Sequence, residues 1–210
     1  MKEYKLPIGC DVPETIILAD GDFPSHPLAL EWLRQCPYVV CCDGAANTYI
    51  RSGRMPEAIV GDGDSLLPGI KERYASLIHS ETEQETNDLS KAFRFCLSQE
   101  RKRITIMGAT GKREDHTIGN VSLLADYMEQ AEVSMMTDYG IFVPIREDSM
   151  FESYIGQQIS VFNMNSTALS AEGLAYPLSV FTNWWQGTLN EALARHFIIR
   201  TEGKVLVFRV

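Results

Sequence analysis

From residue 15 onward, short apolar runs alternate with stretches whose apolar positions recur at helical spacing. Residues 15–19, 38–42, 58–60, 103–107 and 132–137 predict buried strands. Residues 26–35, 45–51, 70–77, 88–99 and 116–129 predict the helices between them. In 88–99, Leu89, Phe93, Cys96 and Leu97 fall at i, i+4, i+7 and i+8 and form one apolar stripe. Strands that are apolar throughout and separated by helices predict an α/β fold with a parallel, doubly wound sheet covered on both faces. Beyond about Tyr139 the pattern changes. Residues 158–162, 168–170, 197–201 and 205–210 are short β-like runs, 201–204 read as a hairpin turn, and 189–195 carry a helical pattern. The expected organisation is an α/β domain over residues 1–138 and an all-β domain over residues 139–210.

Composition narrows the classes. The chain of 210 residues is 45% hydrophobic, enough for a substantial core. No apolar run approaches the roughly 18 residues of a membrane helix. Residues 1–14 lack the apolar core of a secretion signal, so a cytoplasmic protein without a membrane partner is expected. Nineteen basic and 28 acidic side chains give a net charge of −9. That balance disfavours nucleic acid as a partner and repels phosphates at long range. A nucleotide substrate would need metal ions and local cations to offset it. Five cysteines, an odd number without a C-x-x-C pair, argue against a disulfide framework or a zinc site. Cys41 and Cys42 read as small buried hydrophobes.

The predicted strands of the first domain end in Gly and Asp: Asp20-Gly21-Asp22, Asp43-Gly44, Gly61-Asp62-Gly63-Asp64 and the 108–111 segment. Any one of these is an ordinary loop. Four together, at the edge where open α/β sheets bind ligands, point to a site. Asp62 and Asp64, two apart in an extended segment, would share one side and offer hard oxygen ligands for Mg²⁺. Asp88 opens the clearest helix, a position that capping and the helix dipole also favour. The polar loop before it could complete a metal site. Residues 108–117 hold two glycines, Lys112, Arg113, Asp115 and His116 without P-loop spacing. Lys112 and Arg113 are candidate phosphate partners, against the alternative of a solvated turn. His116 reads as structural more readily than as an acid–base group. Trp184 and Trp185 stand in a polar loop, where one could stack on a flat heterocycle or both could be core.

Taken in order, these motifs resemble the thiamine pyrophosphokinase family. The family's aspartate-glycine-glycine-alanine turn has its counterpart at residues 43–47, and its Gly-Asp-Phe-Asp-Ser segment at 61–65. Its Asp-Gln-Asp-x-Thr-Asp segment matches 83–88, followed by Lys91; its Gly-Gly-Arg-x-Asp-His turn matches 111–116, with Asn120 beyond. Its C-terminal segments match 172–178 and 187–191, so the likeness runs from about residue 15 to the end. Gly63 replaces an aromatic, Glu83 and Glu85 replace aspartates, Lys112 replaces a glycine, and Leu189 stands where many members have serine.

The resemblance implies a β-sandwich second domain, a homodimer with the acceptor site at the subunit interface, and Mg²⁺-dependent transfer of pyrophosphate from ATP to thiamine, releasing AMP. It implies catalytic roles for Asp62, Asp64, Asp88 and Asp115, the first three as metal ligands. Nucleotide contacts would come from Asp43, Gly44, Gln84, Thr86, Gly108, Gly111, Lys112, Arg113 and His116. Acceptor contacts would come from Trp185, Thr188 and Asn190. A pyrophosphokinase acting on a pterin-type alcohol and a catalytically silent nucleotide-binding module are the alternatives. The C-terminal matches speak against the first, and the retained aspartates against the second.

Overall fold

The computed structural model describes residues 1–9, 11–81, 83 and 85–210. In chain order the elements are β1 (Lys2–Tyr4), β2 (Thr15–Leu18), α1 (Pro27–Gln35), β3 (Val39–Cys42), α2 (Ala45–Arg51), β4 (Ala58–Gly61), α3 (Pro68–Arg73), β5 (Ile78–Ser80), α4 (Asp88–Ser98), β6 (Arg103–Met107), α5 (Glu114–Tyr127) and β7 (Glu132–Met136). There follow β8 (Ile141–Ile145), β9 (Ser149–Glu152), β10 (Gln158–Asn163), β11 (Leu169–Glu172), β12 (Asn190–Glu191), β13 (His196–Thr201) and β14 (Val205–Arg209). Single 3-10 turns cover Ala75–Leu77 and Trp184–Gly187.

One ten-stranded sheet runs through the molecule in the order β12-β10-β14-β8-β7-β6-β2-β3-β4-β5. From β5 to β7 every neighbouring pair is parallel. At β7–β8 the pairing turns antiparallel and stays so to β12. A second sheet, β1-β9-β13-β11, completes a β-rich C-terminal half. The result is a mixed α/β sheet domain followed by a β-rich one.

The alternation of side chains along each strand builds both cores. Ile16 and Leu18 of β2, with Val39 and Cys41 of β3, pack against Ala29, Trp32 and Leu33 of α1 and Ala46 and Tyr49 of α2. Ile17, Val40 and Cys42 face the other way, onto Leu89, Phe93 and Cys96 of α4 and Leu124 and Tyr127 of α5. The first core continues without a break into the C-terminal half, through Val143, Phe151, Val161, Phe197 and Val207. The Phe151 ring stacks on Phe197 at 5.0 Å and on Tyr4 at 4.8 Å. Thus β1, pairing in parallel with β9, adds the start of the chain to the C-terminal sheet. Cys41, Cys42 and Cys96 are buried and unbridged; Cys10 lies outside the described residues. Among those residues, no helix is long and apolar enough to cross a membrane.

Local chemistry sets the helix starts that matter for the site. Pro27 opens α1 after His26, whose side chain accepts from Leu28 N at 3.2 Å. Asn87 caps α4 by accepting from Ser90 N at 2.9 Å.

Three expectations are corrected. Residues 201–204 form no hairpin: Thr201 pairs with Leu169 in the small sheet, whereas Val205 pairs with Asn163 and Ile145 in the large one. The turn is a corner between two sheets. Residues 189–195 form no helix, because Leu189 has a φ of 62° and Asn190 enters β12. Residues 70–77 are α3 and a 3-10 turn, broken at Tyr74, where φ is −114°.

Candidate active site

The carboxyl edge of the parallel strands gathers the charged loops. Asp43 follows β3 directly, and its N–H donates to Val60 O of neighbouring β4 at 2.9 Å. Its φ of 28° lies in the left-handed region that non-glycine residues rarely adopt. Its side chain is only 2% exposed. Oδ2 accepts from Ser65 N at 3.0 Å, while Oδ1 is buried and has no hydrogen-bond partner among the described residues. Burial, more than the neighbouring Asp88, Asp62 and Asp64 charges, pushes its carboxyl above the usual range.

Asp62 and Asp64 leave β4 through a turn, not by strand alternation: Asp64 N donates to Asp62 Oδ1 at 3.2 Å. One carboxylate oxygen from each of Asp43, Asp62 and Asp64 lies within 4.8 Å of the others. Asn47 of α2 braces this loop, donating to Ser65 O at 2.8 Å and accepting from Leu67 N at 3.0 Å. Lys71 of α3 donates to Gly63 O at 2.8 Å, in space that an aromatic at position 63 would contest. Three carboxylates, one of them on a buried residue with an oxygen unpaired among the described residues, are hard donors that fit a divalent cation such as Mg²⁺. Left alone, those carboxylates repel one another.

Asp88, in the first turn of α4, is close enough to raise Asp43 but pairs with the buried Lys91 at 3.1 Å. It is not part of the three-carboxylate group. Before it, Arg94 of α4 gathers Glu83, at 2.9 Å, and Thr86, at 3.1 Å. Gln84 lies outside the described residues. Asn87 Nδ2 donates to Asn120 of α5 at 3.1 Å, and Asn120 in turn holds Ala109 O at 2.9 Å. The α4 start and the glycine turn are thereby tied together.

That turn runs from β6 to α5. Gly108 has a φ of 64°, and a Cβ there would come within 2.7 Å of Ala19 O. A Cβ on Gly111 would collide with the Asp22 carboxylate. Lys112 keeps the left-handed φ of 55° although it has a side chain. Its ammonium pairs with Asp20 at 3.0 Å. Arg113 holds Asp115 through Nε at 3.0 Å and through its terminal nitrogen, which lowers the Asp115 carboxyl to about 2. Asp115 also accepts from His116 N at 3.0 Å. Gly44, at the start of α2, is packed against the Asp20 carboxylate.

In the C-terminal half, Trp184 sits edge-on to Phe162 at 6.1 Å, whereas Trp185 is 73% exposed. Thr188 Oγ1 closes their 3-10 turn on Trp185 O at 2.7 Å. Asn190 is buried; its amide donates to Tyr176 O at 2.8 Å and its oxygen accepts from Tyr176 N at 3.0 Å. A cavity of about 780 Å³ lies elsewhere, beneath the N-terminal segment between Tyr4, Trp32, Ile104 and Arg209. It shares none of the residues above, and the chemistry sits at the open carboxyl edge instead.

Carboxylates and glycine turns collected at the carboxyl edge of a parallel sheet are the layout of a phosphate-handling α/β protein. The chain belongs to the thiamin pyrophosphokinase family. The family's catalytic-domain model matches residues 29–136 and its substrate-binding-domain model residues 140–208. Thiamine pyrophosphokinase 1 of Oryza sativa subsp. japonica is 30% identical over 129 residues, which cover 50% of this chain and 49% of that protein. Thiamine pyrophosphokinase of Bacillus subtilis (strain 168) is 33% identical over 86 residues, covering 39% and 40%. The chain thus spans about half the length of the curated relatives it matches. Among solved structures, thiamin pyrophosphokinase from Candida albicans superposes with a TM-score of 0.80 at 18% identity, over 99% of this chain and 92% of that one. The Bacillus subtilis structure gives 0.77 at 20% identity, over 93% and 98%. These superpositions show the fold.

Sequence reasoning passed over the contacts between loops. Asp20 and Asp22 read as strand punctuation, and nothing in the pattern marks Lys71. Asp43 read as a nucleotide contact, with no sign of its orphaned oxygen. The one signal within reach was the repeated Asp at consecutive strand ends.

Proposed function

We propose that the protein transfers pyrophosphate from ATP to the hydroxyl of thiamine, giving thiamine diphosphate and AMP. The observation that carries this reading is the buried Asp43 oxygen, without a hydrogen-bond partner among the described residues, on a carboxylate grouped with Asp62 and Asp64 at the strand edge that also ends in the glycine turn. Family membership supplies the reaction class.

Asp43, Asp62 and Asp64 would hold Mg²⁺, with Asp88 held nearby by Lys91. Bound there, the cation would neutralise phosphate charge as it develops on the leaving group. The chain's own residues do the rest. Backbone N–H groups of residues 108–111, with Gly44 at the start of α2, line a surface suited to phosphate oxygens. Lys112 and Arg113 add positive charge, Arg113 in a fork oriented by Asp115. Thr86 and His116 border the same edge, and Gln84 is assigned to the nucleotide from the family motif alone. No group stands out as a base for the thiamine hydroxyl, so positioning and charge stabilisation carry the rate.

The acceptor would stack on Trp185, with Asn190 and Thr188 holding that turn in shape. Tyr176, Trp185 and Leu189 are exposed, and a second copy of the chain would cover them in a homodimer whose acceptor site is shared. Residues 1–138 would then serve mainly the nucleotide and residues 139–210 the acceptor.

Incubation with ATP, Mg²⁺ and thiamine, followed by chromatography, tests the reading. AMP and thiamine diphosphate should appear in equal amounts. ADP accompanying a phosphorylated acceptor would mean ordinary kinase chemistry, and no acceptor-dependent turnover would overturn the reading.

A further inference from the structure

We infer that Asp20 is a positioning residue that weakens the hold on nucleotide phosphates by serving as the resting partner of Lys112. This rests on the phosphate role proposed above for the glycine turn. Asp20 stands directly beyond β2, and each of its oxygens meets a different loop. Oδ1 accepts from Lys112 Nζ at 3.0 Å. Oδ2 lies 2.7 Å from the place a Cβ on Gly44 would occupy. The pair therefore bridges the β6–α5 turn to the start of α2, across the mouth of the site.

Both cations of the turn are neutralised in the same way, Lys112 by Asp20 and Arg113 by Asp115. The two pairs differ in kind. Arg113 and Asp115 are two residues apart, so their pairing shapes the turn itself. Lys112 and Asp20 are 92 residues apart and join two loops, so their pairing depends on what lies between them. Lys112 also holds a left-handed backbone that glycine would adopt more easily. Lysine at this place is costly for the backbone, and its ammonium is the group that position 112 contributes.

An incoming phosphate must take Lys112 from Asp20, and a departing nucleotide returns it. The exchange taxes triphosphate and monophosphate alike, so Asp20 favours release of the AMP product. Both partners are about half-exposed, so the effect is that of a screened ion pair, about three-fold in affinity.

Calorimetric titration of ATP and of AMP, with Mg²⁺ and without thiamine, decides it in four proteins: wild type, Asp20→Asn, Lys112→Met and the double variant. Asp20→Asn should tighten both nucleotides about three-fold in the presence of Lys112 and have little effect in the Lys112→Met background. Equal tightening in both backgrounds would show that Asp20 merely repels the ligand, and would overturn the inference. Weaker binding by Asp20→Asn would overturn it as well, since Asp20 would then hold Lys112 in its productive place. If the folded wild type binds no ATP, the phosphate reading and this inference fall together. If ATP binds and the variants match wild type, only this inference falls. Asp20→Ser repeats the test if the Asn variant does not fold.

Discussion

The parallel and antiparallel halves of the large sheet share one continuous core, yet they present their chemistry in opposite ways. In the parallel half, the polar residues are locked to backbone: Asp43 by Ser65, the 62–67 loop by Asn47, the glycine turn by Asn120. Every strand there ends at the same edge, so each loop braces the next. In the antiparallel half, strands alternate direction, and the candidate acceptor loop leans on the sheet through Trp184 and Asn190 while Trp185 and Leu189 stand 73% and 74% exposed. Strand direction thus separates a braced edge of charged loops from a loop whose large apolar side chains stand exposed.

The sharpest way to break this contrast is to neutralise the parallel edge. Asp62→Asn or Asp64→Asn should cut turnover at least about 100-fold, the scale of losing one strong electrostatic group, with an unchanged circular dichroism spectrum. Near-normal activity with both changes made would remove the metal from this edge. On the antiparallel side, Trp185→Ala should raise the KM for thiamine several-fold and leave that for ATP nearly unchanged, as expected when an aromatic face worth roughly 2 kcal/mol or less is lost. Asn190→Ala should raise the same KM and also lower Tm, because Tyr176 loses its clamp. Steady-state kinetics with each substrate varied, plus a thermal melt, separates the two variants; an effect on ATP alone would reassign the loop.

Smaller shifts test how far the parallel edge is built for a cation. Asp43→Asn keeps the oxygen that accepts from Ser65 and removes a buried charge. Metal-free protein should therefore gain about 2–4 °C in Tm, the equivalent of about 1 kcal/mol, and lose the further rise that Mg²⁺ gives the wild type. A lower Tm would mean that the carboxylate is stabilising by itself. Lys112→Gly should be the mildest: relief of the left-handed backbone offsets the lost ion pair, leaving Tm equal or slightly higher while ATP binds more weakly.

The parallel half was legible because its pattern is local. Both-face burial makes β2, β3 and β6 predominantly apolar, and α4 carries its own stripe, so each element can be read from its own residues. The elements that escaped are short or atypical. β1 and β5 have three residues each, too few for a period, and β8 contains Pro144, which argues against a central strand. Pro144 is tolerated because β7 pairs only with Ile141 and Phe142, so it falls beyond that ladder. The corner at 201–204 carries hairpin residues because a tight turn needs them in either setting; which sheet the next strand joins is decided by Ile145 and Asn163, far away in sequence. For the site, aspartates two apart were visible, whereas Asp43 joining them depends on β3 and β4 being neighbours.

The place of β1 bears on how the chain is made. Tyr4 closes the aromatic stack on Phe151, and β1 pairs with β9, so its partner is synthesised nearly 150 residues later. At roughly 5–20 residues per second, a ribosome leaves that strand waiting on the order of ten seconds. The parallel half can fold in that interval, since β2 through β7 find their partners among themselves. β1 therefore emerges well before its partner and is among the last strands to dock, and a nascent chain halted before β9 would carry a finished α/β half beside a loose β1.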